Sequence, residues 1–186
     1  VKSNRKSNRE RGQMRILGID PGTVRMGYGV VESGPRPEAE DYGVVSLPKS
    51  MPLEQRLYQL YTHVLNMISV FQPDVIAVEK PFVGKGERFF AGPAIAVGQA
   101  QALVLIGAAS QGIPVFAYTP AQIKRSVVDY GGATKEQMQQ VITVTLGLTE
   151  TPESDAADAL SVGLCHLVQS QAADALHREI PPGQER

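Results

Sequence analysis

The sequence has little of what secretion or membrane insertion requires. Its 186 residues include a single cysteine, Cys165, so no intrachain disulfide can form, which fits a reducing, cytoplasmic compartment. The basic opening VKSNRKSNRERGQ is followed by no apolar stretch, so a secretory signal is not expected. From Phe89 to Ile123 there is no charged residue at all. That run is broken by Gln99, Gln101, Ser110 and Gln111 and by Pro93 and Pro114, so it offers no clean apolar span of ~20 residues for crossing a bilayer. A buried helix followed by a buried strand is the expectation.

A net positive charge is also missing, since the formal total is −1. Its distribution is uneven. Residues 1–15 sum to +5, 16–79 to −4, 80–135 to +4 and 136–186 to −6. The central basic segment carries Lys80, Lys85, Arg88, Lys124, Arg125 and Lys135 between two acidic ones. This suits a phosphate-binding surface beside a carboxylate site for cations. Scattered solvated charge is the plainer alternative.

The chain divides into a polar basic arm (residues 1–13), a folded domain (14–174) and a polar tail (175–186) with Pro181 and Pro182. Arg15 to Asp20 (RILGID) predicts a buried strand stopped by Pro21-Gly22. Met26 to Glu32 predicts its hairpin partner, and Tyr42 to Leu47 a third strand after a loop rich in Pro and Gly. Leu53, Leu57, Leu60, Tyr61, Val64, Leu65 and Ile68 recur every three or four residues, which predicts a helix ending near Phe71 before Pro73. Asp74 to Glu79 is a strand, Ala94 to Ser110 a helix rich in Ala and Gly, and Ile113 to Tyr118 another strand. A short helix over 120–128, a helix capped by Thr134 and running to about Leu146, and a last helix from Ser154 to about Ala173 complete the order. Early hairpins followed by alternating elements predict an α/β fold, a mixed sheet with helices on both faces.

The acids fall at telling places. Asp20 ends the first strand and Glu79 the fourth, while Asp155 and Asp158 share one face at the start of the last helix. Four carboxylates brought together would repel one another and raise their pKa values, and hard divalent cations relieve that repulsion. Two such ions activate water and stabilise the leaving oxygen in phosphodiester cleavage. Each acid also has a plainer reading. Asp20 could form the turn, Glu79 could be a solvated strand end, and Asp155 and Asp158 could answer the helix dipole.

Leu17 to Gly22 (LGIDPG), Val78-Glu79 with Phe82, and Asp155 to Leu160 (DAADAL) resemble the successive acidic motifs of the RuvC family, the bacterial crossover junction endodeoxyribonucleases. Gly98 to Ala100, Pro114 to Tyr118 and Gln122 to Lys124 resemble it too, so the likeness covers about Met14 to His166. It implies an RNase H-like fold with a five-stranded sheet, and a homodimer that resolves Holliday junctions with Mg²⁺ or Mn²⁺, two ions per site. It also implies cooperation with the RuvA and RuvB branch-migration proteins. The family's four metal-binding acids fall on Asp20, Glu79, Asp155 and Asp158, its junction-contacting aromatic on Phe82, and its phosphate-binding lysines on Lys124 and Lys135. Some relatives carry histidine where Asp155 stands, so an all-carboxylate site is expected here.

The residues agree with these assignments. Phe82 follows Glu79 in a glycine-containing loop, where an apolar ring can stack on an unpaired base; core packing is its alternative. Lys124 and Lys135 can hold phosphate oxygens, with Lys80, Lys85, Arg88 and Arg125 as further candidates for the same surface; solvation is the alternative. The charge-free helix offers either an internal packing element or, with Ala91, Ala94, Ala96, Gly98, Ala100 and Ala102, a close dimer contact. Three other readings stay open. Gly18 to Thr23 resembles the first phosphate loop of actin-like ATPases and sugar kinases, a junction-binding protein needs no catalysis, and the same fold can cut RNA–DNA hybrids.

Overall fold

The computed structural model describes residues 13–81, 91–128 and 133–179. Three strands come first: β1 (Arg15–Asp20), β2 (Arg25–Glu32) and β3 (Glu38–Ser46). Helix α1 (Leu53–Phe71), strand β4 (Val75–Glu79), helix α2 (Ala91–Ser110) and strand β5 (Val115–Tyr118) follow. Helices α3 (Pro120–Val128), α4 (Lys135–Thr145) and α5 (Ser154–Glu179) end the order. The sheet runs β3-β2-β1-β4-β5. The first three strands pair antiparallel, and β1, β4 and β5 run parallel.

The expected element order is present, with differences at the ends. Strand β3 begins at Glu38, earlier than the alternation of YGVVSL suggests, because the polar residues before Tyr42 pair with β2 along the sheet edge. Helix α5 continues past Ala173 to Glu179, so the boundary drawn at 174 falls inside a helix. Helix α1 stops where expected: Gln72 takes a left-handed conformation (φ 48°) and its N–H donates to the Ile68 carbonyl at 2.9 Å. Thr134 caps α4 through a reciprocal pair with Gln137.

Two cores lie on opposite faces of the sheet. Leu17, Ile19, Met26, Val30, Ile76 and Val78 pack under α1 and α2. Ile16, Val31, Val75, Ala77 and Tyr118 pack under α3, α4 and α5. This is strand alternation made physical, with even and odd positions facing different helices. Arg15 is the buried exception, held by the carboxylates of Glu32 and Glu40 and donating to the Phe71 carbonyl at 2.6 Å. A buried guanidinium survives only when its donors are met in this way.

Helix α5 lies unusually close to β1 and β2. A Cβ on Gly18 would stand inside contact distance of the Ala159 carbonyl and 2.8 Å from the Gly163 nitrogen. One on Gly27 would collide with the Asp155 carbonyl group. Glycine is what lets the helix backbone rest directly on the strands at these two points. No helix among the described residues is long and apolar enough to cross a membrane.

Candidate active site

Strand alternation decides where the first two acids point. Asp20 has the parity of Ile16, and Glu79 that of Val75 and Ala77, so both face the side covered by α5. The parallel register pairs Ile19 with Val78, and one step further along it puts Asp20 beside Glu79. Both sit at the carboxyl ends of their strands, the edge where open α/β sheets place their sites. Asp158, one helical turn into α5, completes the near wall. Asp20, Glu79 and Asp158 line one cleft of about 320 Å³ together with Pro120, Ile123, Lys124, Lys135, Met138 and Ser161.

The carboxylates feel one another. Asp20 is pushed up from 3.8 to about 6, first by burial and then by the charges of Asp158 and Asp155, against the pull of Lys135. Glu79 is pushed up from 4.5 to about 7, again chiefly by burial, then by Asp20 and Asp158, with Lys135 and Lys124 opposing. Burial also raises Asp158, and the neighbouring Lys135, whose Nζ lies 3.6 Å from its Oδ2, pulls the other way. Folded-state values above the ordinary ones mean that the fold favours the protonated acids. Their contribution to stability is therefore full below about pH 4 and is lost as pH rises through 6 and 7. The metal-free protein should melt at a lower temperature at pH 8 than at pH 5, and millimolar Mg²⁺ at pH 8 should reverse the loss. A melting temperature flat across that range would refute this electrostatic picture.

The donor set suits a hard divalent cation: oxygens only, crowded and under-neutralised. Among the described residues no three of these groups already stand close enough to hold one ion between them, so an entering cation would have to draw them in. Asp155 is the outlier. It does not line the cleft; its Oδ2 instead accepts from Arg25 Nε at 2.6 Å, and Arg25 Nη2 donates to Glu153 at 2.7 Å.

The residues expected to contact DNA divide four ways. Lys124 and Lys135 line the cleft, Lys124 half-buried with its Nζ donating to the Ala133 carbonyl at 3.1 Å. Lys80 is exposed directly after Glu79 and outside the cleft wall. Arg125 is not brought to the acids: it lines a different groove with Val127, Val128, Val141 and Val168 between α3, α4 and α5. Phe82, Lys85 and Arg88 lie outside the described residues. Sequence reasoning missed Arg25 and Glu153, and no local signal could have found the pairing, because Arg25 and Asp155 are 130 positions apart.

A mixed sheet with two acids at adjacent strand ends, and a third on the helix that covers them, is the arrangement of the RNase H-like nucleases. The sequence pattern of one family in that class, crossover junction endodeoxyribonuclease RuvC, matches residues 16–166. The chain is 46% identical over 155 residues to the crossover junction endodeoxyribonuclease RuvC of Chloroflexus aggregans, covering 82% of this chain and 92% of that protein. It is 43% identical to the same enzyme of Thermomicrobium roseum, covering 86% and 96%. Its fold superposes on Thermus thermophilus RuvC in complex with a Holliday junction substrate with a TM-score of 0.78 at 32% identity, covering 86% of this chain and 96% of that one. The protein belongs to the RuvC family.

Proposed function

We propose that this protein resolves Holliday junctions by metal-dependent phosphodiester hydrolysis, with Asp20, Glu79, Asp155 and Asp158 as the metal ligands. The observation that carries the reading is the meeting of Asp20, Glu79 and Asp158 in one cleft, with Lys124 and Lys135 on its wall. Bound Mg²⁺ or Mn²⁺, two ions in this reading, would supply the charge that polarises the phosphate and activates water. Asp20, which feels the charge of both α5 acids and stands beside Glu79, would be the central carboxylate among those holding the ions. Lys124 and Lys135 hold phosphate oxygens and fix the strand without reading its sequence. Phe82 is assigned to stacking on an unpaired base, and Lys80, Lys85 and Arg88 to the backbone around it.

Nicking of a mobile four-way junction, compared with linear duplex of matched sequence in Mg²⁺, Mn²⁺ or EDTA, tests this. Symmetric nicks on the junction alone, abolished by EDTA, are expected. Binding without cutting in either metal would leave a junction-binding protein, and cutting of RNA–DNA hybrid in preference would redirect the substrate.

We also propose a homodimer built on α2. One side of that helix buries Ala100, Val104 and Ala108 beside α1. The other exposes Ile95, Leu105 and Ile106, at 60%, 45% and 57% of their surface, and Gly98 has open space around it. Positions 95, 102 and 109 and positions 98 and 105 repeat at seven, the spacing of a helix-to-helix seam with small residues allowing close approach. A two-fold axis through this face gives two like sites for two strands. Ile106→Asp should therefore yield monomers in sedimentation and convert paired nicks to rare single ones; a variant that stays dimeric would place the interface elsewhere. The family's membership in recombination implies work alongside RuvA and RuvB. The compartment we propose is a reducing cytoplasm, where Cys165, buried with its thiol pKa pushed up, stays inert.

A further inference from the structure

Arg25 stands at the end of β2 where it begins, level with Ser46 of β3. Its guanidinium crosses to the start of α5. Nε donates to Asp155 Oδ2 at 2.6 Å, Nη2 to Glu153 Oε2 at 2.7 Å, and Nη1 to Ser46 Oγ at 3.4 Å. Asp155 is the one proposed ligand absent from the cleft wall. Its carbonyl group packs directly on Gly27, two residues after Arg25, where an added Cβ would lie 2.5 Å from the carbonyl carbon, so the start of α5 is seated on β2. Only the side chain can choose between Arg25 and the other acids.

Building on the metal-site reading above, we propose that Arg25 is a positioning residue that competes with the metal for Asp155. In the metal-free site it holds the fourth carboxylate off the cleft wall, with its charge met by the guanidinium. As ions enter, Asp155 rotates off Arg25 into the cage. Glu153 keeps a partner on the guanidinium throughout, so the release leaves no cation unpaired. The pair is solvent-exposed, with 45% of the Arg25 side chain accessible, so the competition is a tuning effect of a few-fold in metal affinity rather than a gate.

The test is Mn²⁺ binding by calorimetry, without DNA, in the wild type, Arg25→Gln, Asp155→Asn and the double variant. Arg25→Gln should tighten Mn²⁺ about two- to five-fold in the wild-type background. In the Asp155→Asn background the same change should do nothing, because the route runs through that carboxylate. Equal tightening in both backgrounds would mean a general field effect of the lost charge and would overturn the proposal. A crystal of the Mn²⁺-loaded protein gives the second reading, with Asp155 expected beyond ion-pair distance of Arg25. An Arg25–Asp155 contact intact in the loaded site would overturn it as well. No Mn²⁺ binding by the wild type would instead sink the metal-site reading, and this inference with it.

Discussion

Asp20→Asn should abolish junction cutting while leaving junction binding intact and making the metal-free protein more heat-stable. The carboxamide keeps the shape of the side chain but removes the negative charge with which Asp20 would hold a divalent cation. A loss of about three orders of magnitude or more in cleavage rate is expected, roughly 4 kcal/mol of transition-state stabilisation. Binding should persist or rise, because the phosphate contacts come from Lys124 and Lys135 and a negative charge near the DNA has gone. Stability moves the other way from activity. Asp20 raises the pKa of Glu79 by its charge, so its neutralisation relieves the repulsion that the buried pair suffers at pH 8. A gain on the order of 1 kcal/mol is expected, worth about 2–4 °C in a protein of this size. Retained nicking in Mg²⁺ would remove Asp20 from the site, and an unchanged melting temperature would show that the acids do not strain the fold.

Gly27→Ala should be among the most damaging substitutions of a single methyl group. The added Cβ would meet the Asp155 carbonyl group and the nitrogen of Ala156, backbone atoms that no side-chain rotation can move aside. Either α5 lifts from β2 or the strand bends, and both uncover the core around Leu160, Val162 and Leu164. The expected cost is about 3 kcal/mol, in the range of other forced rearrangements of packed interiors. The folded fraction should also cut poorly, since a shift of about 1 Å in the start of α5 moves Asp155 and Asp158 together and can cost ~10²-fold. Gly98→Ala supplies the contrast. Within one protomer its Cβ would enter open space on α2. Under conditions where the proposed dimer is dissociated, helix formation should therefore be unharmed or improved by about 0.5–1 kcal/mol, whereas in the dimer the methyl would crowd the seam. Equal melting temperatures for the two variants would contradict the close contact between β2 and α5.

Much of the framework could be read from local pattern. The apolar run ending in Asp20 gave a strand with an acid at its tip, and the three-and-four spacing from Leu53 to Ile68 gave α1 to its last residue. Asp155 and Asp158 gave one face of a helix start. Helix α2 was ambiguous because it is apolar on every side, and a pattern without a polar face cannot say which side is covered. The structure divides it: Ala100, Val104 and Ala108 inward, Ile95, Leu105 and Ile106 outward.

Arg125 shows the same limit for charge. It neighbours Lys124 in sequence, yet a step of one residue on a helix turns a side chain well away, so Lys124 faces the acids and Arg125 a separate groove. The sequence alone determined the order of strands and helices, the acids at the tips of β1 and β4 and the family motifs, because each element's periodicity is written in neighbouring residues. The start of β3 and the end of α5 were not legible in it. Only the tertiary structure decided that β1 and β4 lie side by side, that α5 covers the face to which Asp20 and Glu79 point, and that Arg25 takes hold of Asp155. Those meetings join residues far apart in the chain, and they are fixed by which faces bury the most apolar surface together, a quantity that no short stretch of sequence contains.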